Sequence, residues 1–419
     1  MSSLFDSDPL PCSRERLEEG AVLLRGFAAA ESPLLIAEVE RIAQLAPLTE
    51  SVPPKLYGGT ERVISWLTEE LVTSGHEVTL FASGDSQTSA TLVRVWPRAL
   101  RLARPRADPV AAQAVLLECL AEQAGNFDII HSHIDWIHLP LFRRLGVPFL
   151  TTPHGRLDVP GFSTAIRHFA DAPLTSISNN QRVPLGGANW LGTVYHGLPA
   201  DLFRPSFTPG SYLAFLGRIS PEKGPEAAIR IARAASMPLQ IAAKVSRSDT
   251  RYFKERIEPL VDGKLIRLIG EVNDFAKQTF LAGASALLFP IDWPEPFGLV
   301  MIEAMACGTP VIAFRSGSVP ELIDHGVTGF IVDIEAEAAD AIGHLSKIDR
   351  RRVRAIFEQR FTSKRMAEEY IRYYEMLVGG MHQPINTTVN RPTEPQPDSV
   401  LPESLPGSQL RTAEEIPPA

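Results

Sequence analysis

Tyr212-Leu-Ala-Phe-Leu-Gly-Arg218-Ile-Ser-Pro-Glu222-Lys223-Gly-Pro225, followed directly by Glu226-Ala-Ala-Ile-Arg-Ile-Ala-Arg-Ala-Ala235, reads as one strand, one loop and one helix. The unbroken apolar run at 212–216 suits a strand covered on both faces, as in a parallel sheet. Pro225 fits the first helical turn, where its missing N–H costs nothing. The helix start offers free N–H groups and a positive dipole end, to which Arg218 and Lys223 add two cationic side chains. That combination suits a diphosphate. In open parallel sheets ligands bind beyond the carboxyl ends of the strands, so loops that follow strands are where function is sought.

Outward from this unit the alternation repeats. Apolar runs of strand length occur at 41–47, 77–82, 128–131, 149–152, 239–243, 265–269, 286–289 and 310–313, with segments of helical period between them. The fold class is therefore α/β, with parallel sheets covered by helices on both faces. Gly and Pro break the series in Val194-Tyr-His-Gly-Leu-Pro-Ala-Asp-Leu-Phe-Arg-Pro205, and a length of 419 residues accommodates two domains. The expected division is an appendage at 1–40, a first domain at 41–200, a second at 201–361 and a closing helix at 362–378. Residues 380–419, rich in Pro, Ser, Thr, Gln and Glu, are expected to be a disordered tail.

Two further loops follow the same logic. Pro290-Ile-Asp-Trp-Pro-Glu295-Pro-Phe-Gly298-Leu299 leads into Val-Met-Ile-Glu303-Ala-Met-Ala-Cys-Gly308, a helix that is apolar apart from Glu303. A carboxylate in such surroundings needs a cation, solvent or a ligand. At about 1.5 Å rise per residue, Glu303 lies about one turn inside the helix, within reach of the loop mouth, where a ribose diol would satisfy it. Gly298 allows close backbone approach, and Gly308 with Pro310 marks the helix stop. Leu56-Tyr-Gly58-Gly59-Thr60 precedes another helical stretch, 61–71, and its double glycine permits approach to a phosphate or sugar, although Gly-Gly is also simple turn chemistry.

A formal net charge of -8, with 44% hydrophobic and 21% charged residues, offers no global attraction for nucleic acid or anionic membrane. Cys12, Cys119 and Cys307 match neither a disulfide framework nor a zinc spacing, which suits a reducing compartment and core filling. No apolar run approaches the roughly 20 residues needed to span a bilayer, and the first thirty residues lack a secretory pattern, so a cytoplasmic location is expected.

The motifs jointly resemble those of GT-B-fold glycosyltransferases of the large retaining family 4, over residues 41–378. The likeness rests on the Glu-x7-Glu of Glu295 and Glu303, on Gly-Arg-x4-Lys-Gly at 217–224, on Tyr-Gly-Gly-Thr-Glu at 57–61, and on Gly317-Ser-Val-Pro-Glu321 before Gly326-Val-Thr-Gly-Phe330. The resemblance implies two Rossmann-like domains facing each other across a cleft, with a nucleotide-sugar donor held mainly by the second domain and the acceptor by the first. It implies that Arg218 and Lys223 bind the donor diphosphate, Glu303 the ribose and Glu295 the transferred sugar. Amides at Gly298 and Leu299 would lie near the phosphates, Gly59 would approach from the opposite domain, Lys244 would face the donor and Val272 the base. His154 would stand beside the reacting sugar, with Gly58 and His133 on the acceptor side and His196 a further candidate. It also implies transfer with retention, from a UDP- or GDP-linked donor, without metal or other cofactor.

Parts of the sequence fit other readings. A sugar-nucleotide-binding protein without catalysis fits the same fold. Residues 1–48 resemble the beginning of AlkB-type dioxygenases, which would make His133-Ile-Asp135 and His196 iron ligands. Within that stretch, residues 34–45 have a helical period that competes with a strand at 41–47. Five arginines at 94–106 with Trp96 and Leu100 between them offer a basic surface for anionic lipid or an anionic acceptor, or a solvated loop. The acceptor (lipid, saccharide or small molecule) is not spelled out by any motif.

Overall fold

The computed structural model describes residues 13–18, 21–25, 39–55 and 58–381. Cys12, Tyr57, residues 26–38 with the start of the helical period, and the expected tail from 382 lie outside the described residues. Strands β1 (Ser13–Glu18) and β2 (Ala21–Arg25) form an antiparallel pair.

The first main sheet contains β3 (Arg41–Leu45), β4 (Glu77–Ser83), β5 (Thr91–Trp96), β6 (Ile129–Ser132), β7 (Phe149–Thr151), β8 (Leu174–Ser176) and β9 (Trp190–Thr193), in the order β5-β4-β3-β6-β7-β8-β9. Every pairing in it is parallel. The second contains β10 (Tyr212–Arg218), β11 (Leu239–Lys244), β12 (Ile266–Gly270), β13 (Ala284–Phe289), β14 (Val311–Phe314) and β15 (Gly329–Val332), in the order β12-β11-β10-β13-β14-β15, again all parallel. In each sheet the strand order reverses beside the first strand, at β3/β6 and at β10/β13. Such switch points open a crevice at the carboxyl ends.

The apolar runs explain the central strands. Leu213, Ala214 and Phe215 of β10 are each at most 2% exposed, and Ile42, Ala43 and Leu45 of β3 are fully buried. Residues 41–45 are strand despite their helical period, because β3 gains ladders on both sides, to β4 and β6. Two rows of backbone bonds outweigh a local side-chain periodicity. The apolar runs do not announce β5, β8, β9 and β15. Of these, β5 and β9 are sheet edges with little burial, and β8 and β15 are only three and four residues long.

Helix Pro225–Ala234 follows β10 as expected, and helix Gly59–Thr73 follows the double glycine. The last described helix, Ser363–Met381, lies against the first sheet through buried Tyr370 and Tyr374. The Tyr374 hydroxyl bonds Gln44 of β3 at 3.2 Å and His131 of β6 at 2.7 Å.

Candidate active site

The loops after β10 and β13 meet because those strands are neighbours. The Asp292 amide donates to the Glu222 carbonyl at 2.9 Å. Gly224 has φ +69, and a Cβ there would overlap the Pro290 carbonyl oxygen, so glycine is what lets the two loops close on each other. Within this junction the Lys223 ammonium is ion-paired with Glu295, and both side chains are more than four-fifths buried. The Trp293 indole N–H donates to the same Glu295 oxygen at 2.8 Å, and its ring lies 5.0 Å from Lys223 Nζ. Gly317, at φ +57, packs where any side chain would strike the Glu295 backbone, and the Ser318 amide donates to the Glu295 carbonyl at 3.0 Å.

Arg218 sits at the carboxyl end of β10, directly opposite Lys244 of β11. Its guanidinium is paired with Glu222 and stands 3.6 Å from Asp249. Lys244 is 4.0 Å from Glu271. The cations expected to hold a diphosphate are thus gathered at one sheet end, each matched by a carboxylate.

Glu303 is 5% exposed and answers its own question with an unforeseen partner. Its carboxylate takes a 2.6 Å ion pair from Lys277 of helix Asp274–Ala282. Lys277 also stands 3.5 Å from Asp274, which in turn pairs with Arg62 of helix Gly59–Thr73. Alternating charges therefore run from the buried Glu303 across to the helix that follows β3. Val272, just before that helix, is half-buried against the core. Gly298, at φ +83, opens helix Leu299–Ala306, and a Cβ on Gly59 would come 3.5 Å from Leu299 Cδ1, so the two helix starts lie close together. Gly58 packs against Pro54 and Glu61.

The histidines gather at the carboxyl end of the first sheet. His133 Nδ1 and His154 Nε2 are 2.8 Å apart, and His154 stacks on His196 with ring centres 5.1 Å apart at 17°. His196 in turn lies 4.7 Å from the ring of Phe297, in the Glu295 loop. Burial holds the His154 imidazole down to about 3 and those of His131, His133 and His196 well below the usual histidine range. All four are neutral at physiological pH. Burial also pushes up the carboxyls of Glu50 and Glu61 in and after the loop following β3, the first opposed by Arg101 and Lys244.

Sequence reasoning missed Lys277, Trp293 and Glu222 as partners of the site. Lys277 carried a weak signal, lying three residues after Asp274 and so on the same helical face. Trp293 sits two residues before Glu295.

Residues 204–360 match the family described as Glycosyl transferases group 1, and residues 57–182 match Glycosyltransferase Family 4. D-inositol 3-phosphate glycosyltransferases of Mycobacterium bovis and Mycobacterium tuberculosis are 27% identical over 391 residues, covering 77% of this chain and 78% of theirs. The chain is a glycosyltransferase with the GT-B fold. Among solved structures, AviGT4, a glycosyltransferase involved in avilamycin A biosynthesis, superposes with a TM-score of 0.63 at 24% identity, over 81% of this chain and 98% of that one. Sucrose-phosphate synthase from Thermosynechococcus elongatus gives 0.67 at 19% identity over 81% and 100%. Anabaena HepE, solved in complex with UDP and glucose, gives 0.63 at 20% over 81% and 100%.

For this glycosyltransferase the readings as a non-catalytic binder and as an iron dioxygenase give way. Among the described residues no group of three or more His, Cys, Asp and Glu side chains is arranged to hold a metal ion. Among the described residues no helix is long and apolar enough to cross a membrane.

Proposed function

We propose that the enzyme transfers a hexose from a UDP- or GDP-linked donor to an acceptor held by the first domain, with retention of anomeric configuration and without metal. The observation that carries this reading is the buried Lys223–Glu295 pair where the loops after β10 and β13 meet at the switch point of the second sheet, with Arg218 at the end of β10 and Glu303 on the helix that follows β13. The matching families, and the UDP and glucose bound by the Anabaena neighbour, support a nucleotide-sugar donor.

In this scheme Arg218 and Lys223, with the amides of Gly298 and Leu299, bind the diphosphate, and Lys244 adds charge from the next strand. Glu303 accepts from the ribose, Val272 packs on the base, and Glu295 accepts from hydroxyls of the transferred sugar. The bond from the anomeric carbon to the phosphate oxygen breaks and its electron pair stays on the nucleoside diphosphate. The acceptor oxygen bonds to the same face of that carbon, and its proton passes to the departing phosphate. Stabilising the developing charge on that phosphate is the main catalytic contribution, each fixed donor being worth about 10² to 10³ in rate. Glu222 and Glu295 neutralise the two cations until donor phosphates compete for them.

All five arginines of 94–106 are exposed, and Arg101 pairs with Glu50 at 2.9 Å. This arm is a basic surface beside the acceptor cleft, suited to an anionic membrane or acceptor. A thermal-shift and hydrolysis screen with UDP- and GDP-sugars tests the reading. A true donor at a hundredfold excess over its Kd adds about 2.7 kcal/mol of stability and is slowly hydrolysed, whereas silence from every nucleotide sugar defeats the proposal.

A further inference from the structure

An unbroken series of hydrogen bonds runs from the cleft into the last helix. His154 Nε2 meets His133 Nδ1 at 2.8 Å, His133 Nε2 meets Gln44 Oε1 at 2.7 Å, and Gln44 Nε2 donates to the Tyr374 hydroxyl at 3.2 Å. Tyr374 meets His131 Nδ1 at 2.7 Å, His131 Nε2 meets Thr152 Oγ1 at 2.8 Å, and Thr152 meets Thr175 at 2.6 Å. Gln44, His131, Thr152, Thr175 and Tyr374 are fully buried, and His133 is 3% exposed. One end is open: His154 Nδ1 is buried and has no partner.

The polarity of the series follows from the Gln44 amide. Its oxygen only accepts, so His133 donates from Nε2. A neutral imidazole that donates from one nitrogen accepts at the other, so His133 Nδ1 takes the proton of His154 Nε2–H. His154 is left with a bare lone pair on Nδ1. On the other side the Gln44 N–H₂ donates to Tyr374, whose O–H donates to His131 Nδ1, and His131 Nε2–H donates to Thr152.

We propose that this relay is a positioning device: Gln44, His133 and Tyr374 lock His154 as its Nε2–H tautomer and keep Nδ1 as a hydrogen-bond acceptor for a hydroxyl of the bound sugar. Burial supports it, since each histidine in the series is held neutral and the Tyr374 phenol is pushed well above its usual range. A series of neutral groups in a dry interior is cooperative, each bond polarising the next. The last helix thereby sets the chemistry of a residue more than two hundred positions earlier in the chain. The role given to the sugar hydroxyl rests on the donor reading above; the tautomer does not.

The test uses the full chain labelled with ¹⁵N-histidine, with the His154 signals assigned through His154→Gln. At pH 7.5 the expected spectrum shows His154 Nδ1 unprotonated and Nε2 bearing the proton. An Nδ1–H tautomer, an even mixture or an imidazolium overturns the proposal, whether or not any nucleotide sugar binds. Gln44→Leu and the near-isosteric Tyr374→Phe then separate positioning from folding. The expected result is a shift of His154 toward mixed tautomers, with kcat for UDP-glucose hydrolysis lowered about tenfold, the factor of one hydrogen bond, and KM within about twofold. An unchanged tautomer in both variants, or KM rising in step with an unchanged kcat, overturns it. Failure of the wild type to bind UDP-glucose or any other UDP- or GDP-sugar, with the tautomer as expected, counts against the donor reading and leaves the relay standing.

Discussion

At the scale of single residues, Glu303 shows how a carboxylate is accommodated inside an apolar helix. Its buried carboxylate is compensated by Lys277, whose ammonium is itself only 12% exposed. Removing one member of a buried pair strands the other, at a cost of about 3 kcal/mol or more, whereas removing both for apolar groups is close to neutral. Glu303→Leu should therefore lower urea-unfolding stability by up to about 3 kcal/mol as well as abolish donor binding, with Asp274 beside Lys277 softening the loss. The double variant Lys277→Met with Glu303→Leu should regain most of that stability and none of the binding. If the two single changes simply add, Lys277 is not the partner that makes Glu303 tolerable. The carboxylate in an apolar helix was legible as an anomaly from the sequence alone. Its partner was not, because Lys277 belongs to a different strand-loop-helix unit and only packing brings the two together.

At the scale of elements, the site is built from loops whose shape depends on a few glycines. Gly317 holds φ +57 against the backbone of Glu295, while Gly326 holds φ +78 in open space. The two positions look alike in the sequence. Gly317→Ala should push the Glu295 loop aside, weakening nucleotide-sugar binding by about tenfold or more and costing about 2 kcal/mol of stability. Gly326→Ala should cost about 1 kcal/mol through backbone strain and leave binding unchanged. Calorimetric titration with the donor and urea melts of both variants check this contrast; equal effects on binding would show that the loop does not depend on Gly317. The strand-loop-helix units at 212–235 and 284–306 were readable because apolar run, glycine and helix start are contiguous in the chain. The edge strands β5 and β9 were not, because neither of them is buried deeply enough to need a continuous apolar run.

At the scale of the whole molecule, the two sheets are fastened to each other around the cleft. Ser178 Oγ donates to the Pro296 carbonyl at 2.6 Å, the amides of Asn179 and Asn180 donate to the Glu321 carboxylate at 2.7 and 2.8 Å, and Tyr195 donates to it at 3.0 Å. Burial and that carboxylate push the Tyr195 phenol up to about 12. The same closing of the interior makes stability depend on pH. His138 and His154 are held at about 3 against an ordinary 6.5, and His131, His133 and His196 are also held well below it. Below 6.5 the unfolded chain takes up protons that the folded one refuses, so stability is full above that pH and is lost as pH falls toward 3. The slope is about 1.4 kcal/mol per pH unit for each such histidine. Urea melts at pH 7.5, 6.5 and 5.5 should show a loss of about 0.4 kcal/mol per histidine across the first interval and about 1 kcal/mol per histidine across the second; a flat profile would mean that the cluster is hydrated and charged.

Much was determined by the sequence itself: the alternation of apolar runs and helical segments specifies an α/β chain with two sheets, and the strand-glycine-helix junctions after β10 and β13 specify which loops lie at the carboxyl ends of the strands. These are local codes, set by strand and helix periods and by the free amides at helix starts, and they survive without any knowledge of the fold. Only the tertiary structure decided who faces whom: Lys277 against Glu303, Lys223 against Glu295, and Tyr374 of the last helix behind His154. Such partners are chosen by the need to satisfy every buried charge and hydrogen-bonding group at once, a condition on the whole packed interior that no stretch of chain expresses alone.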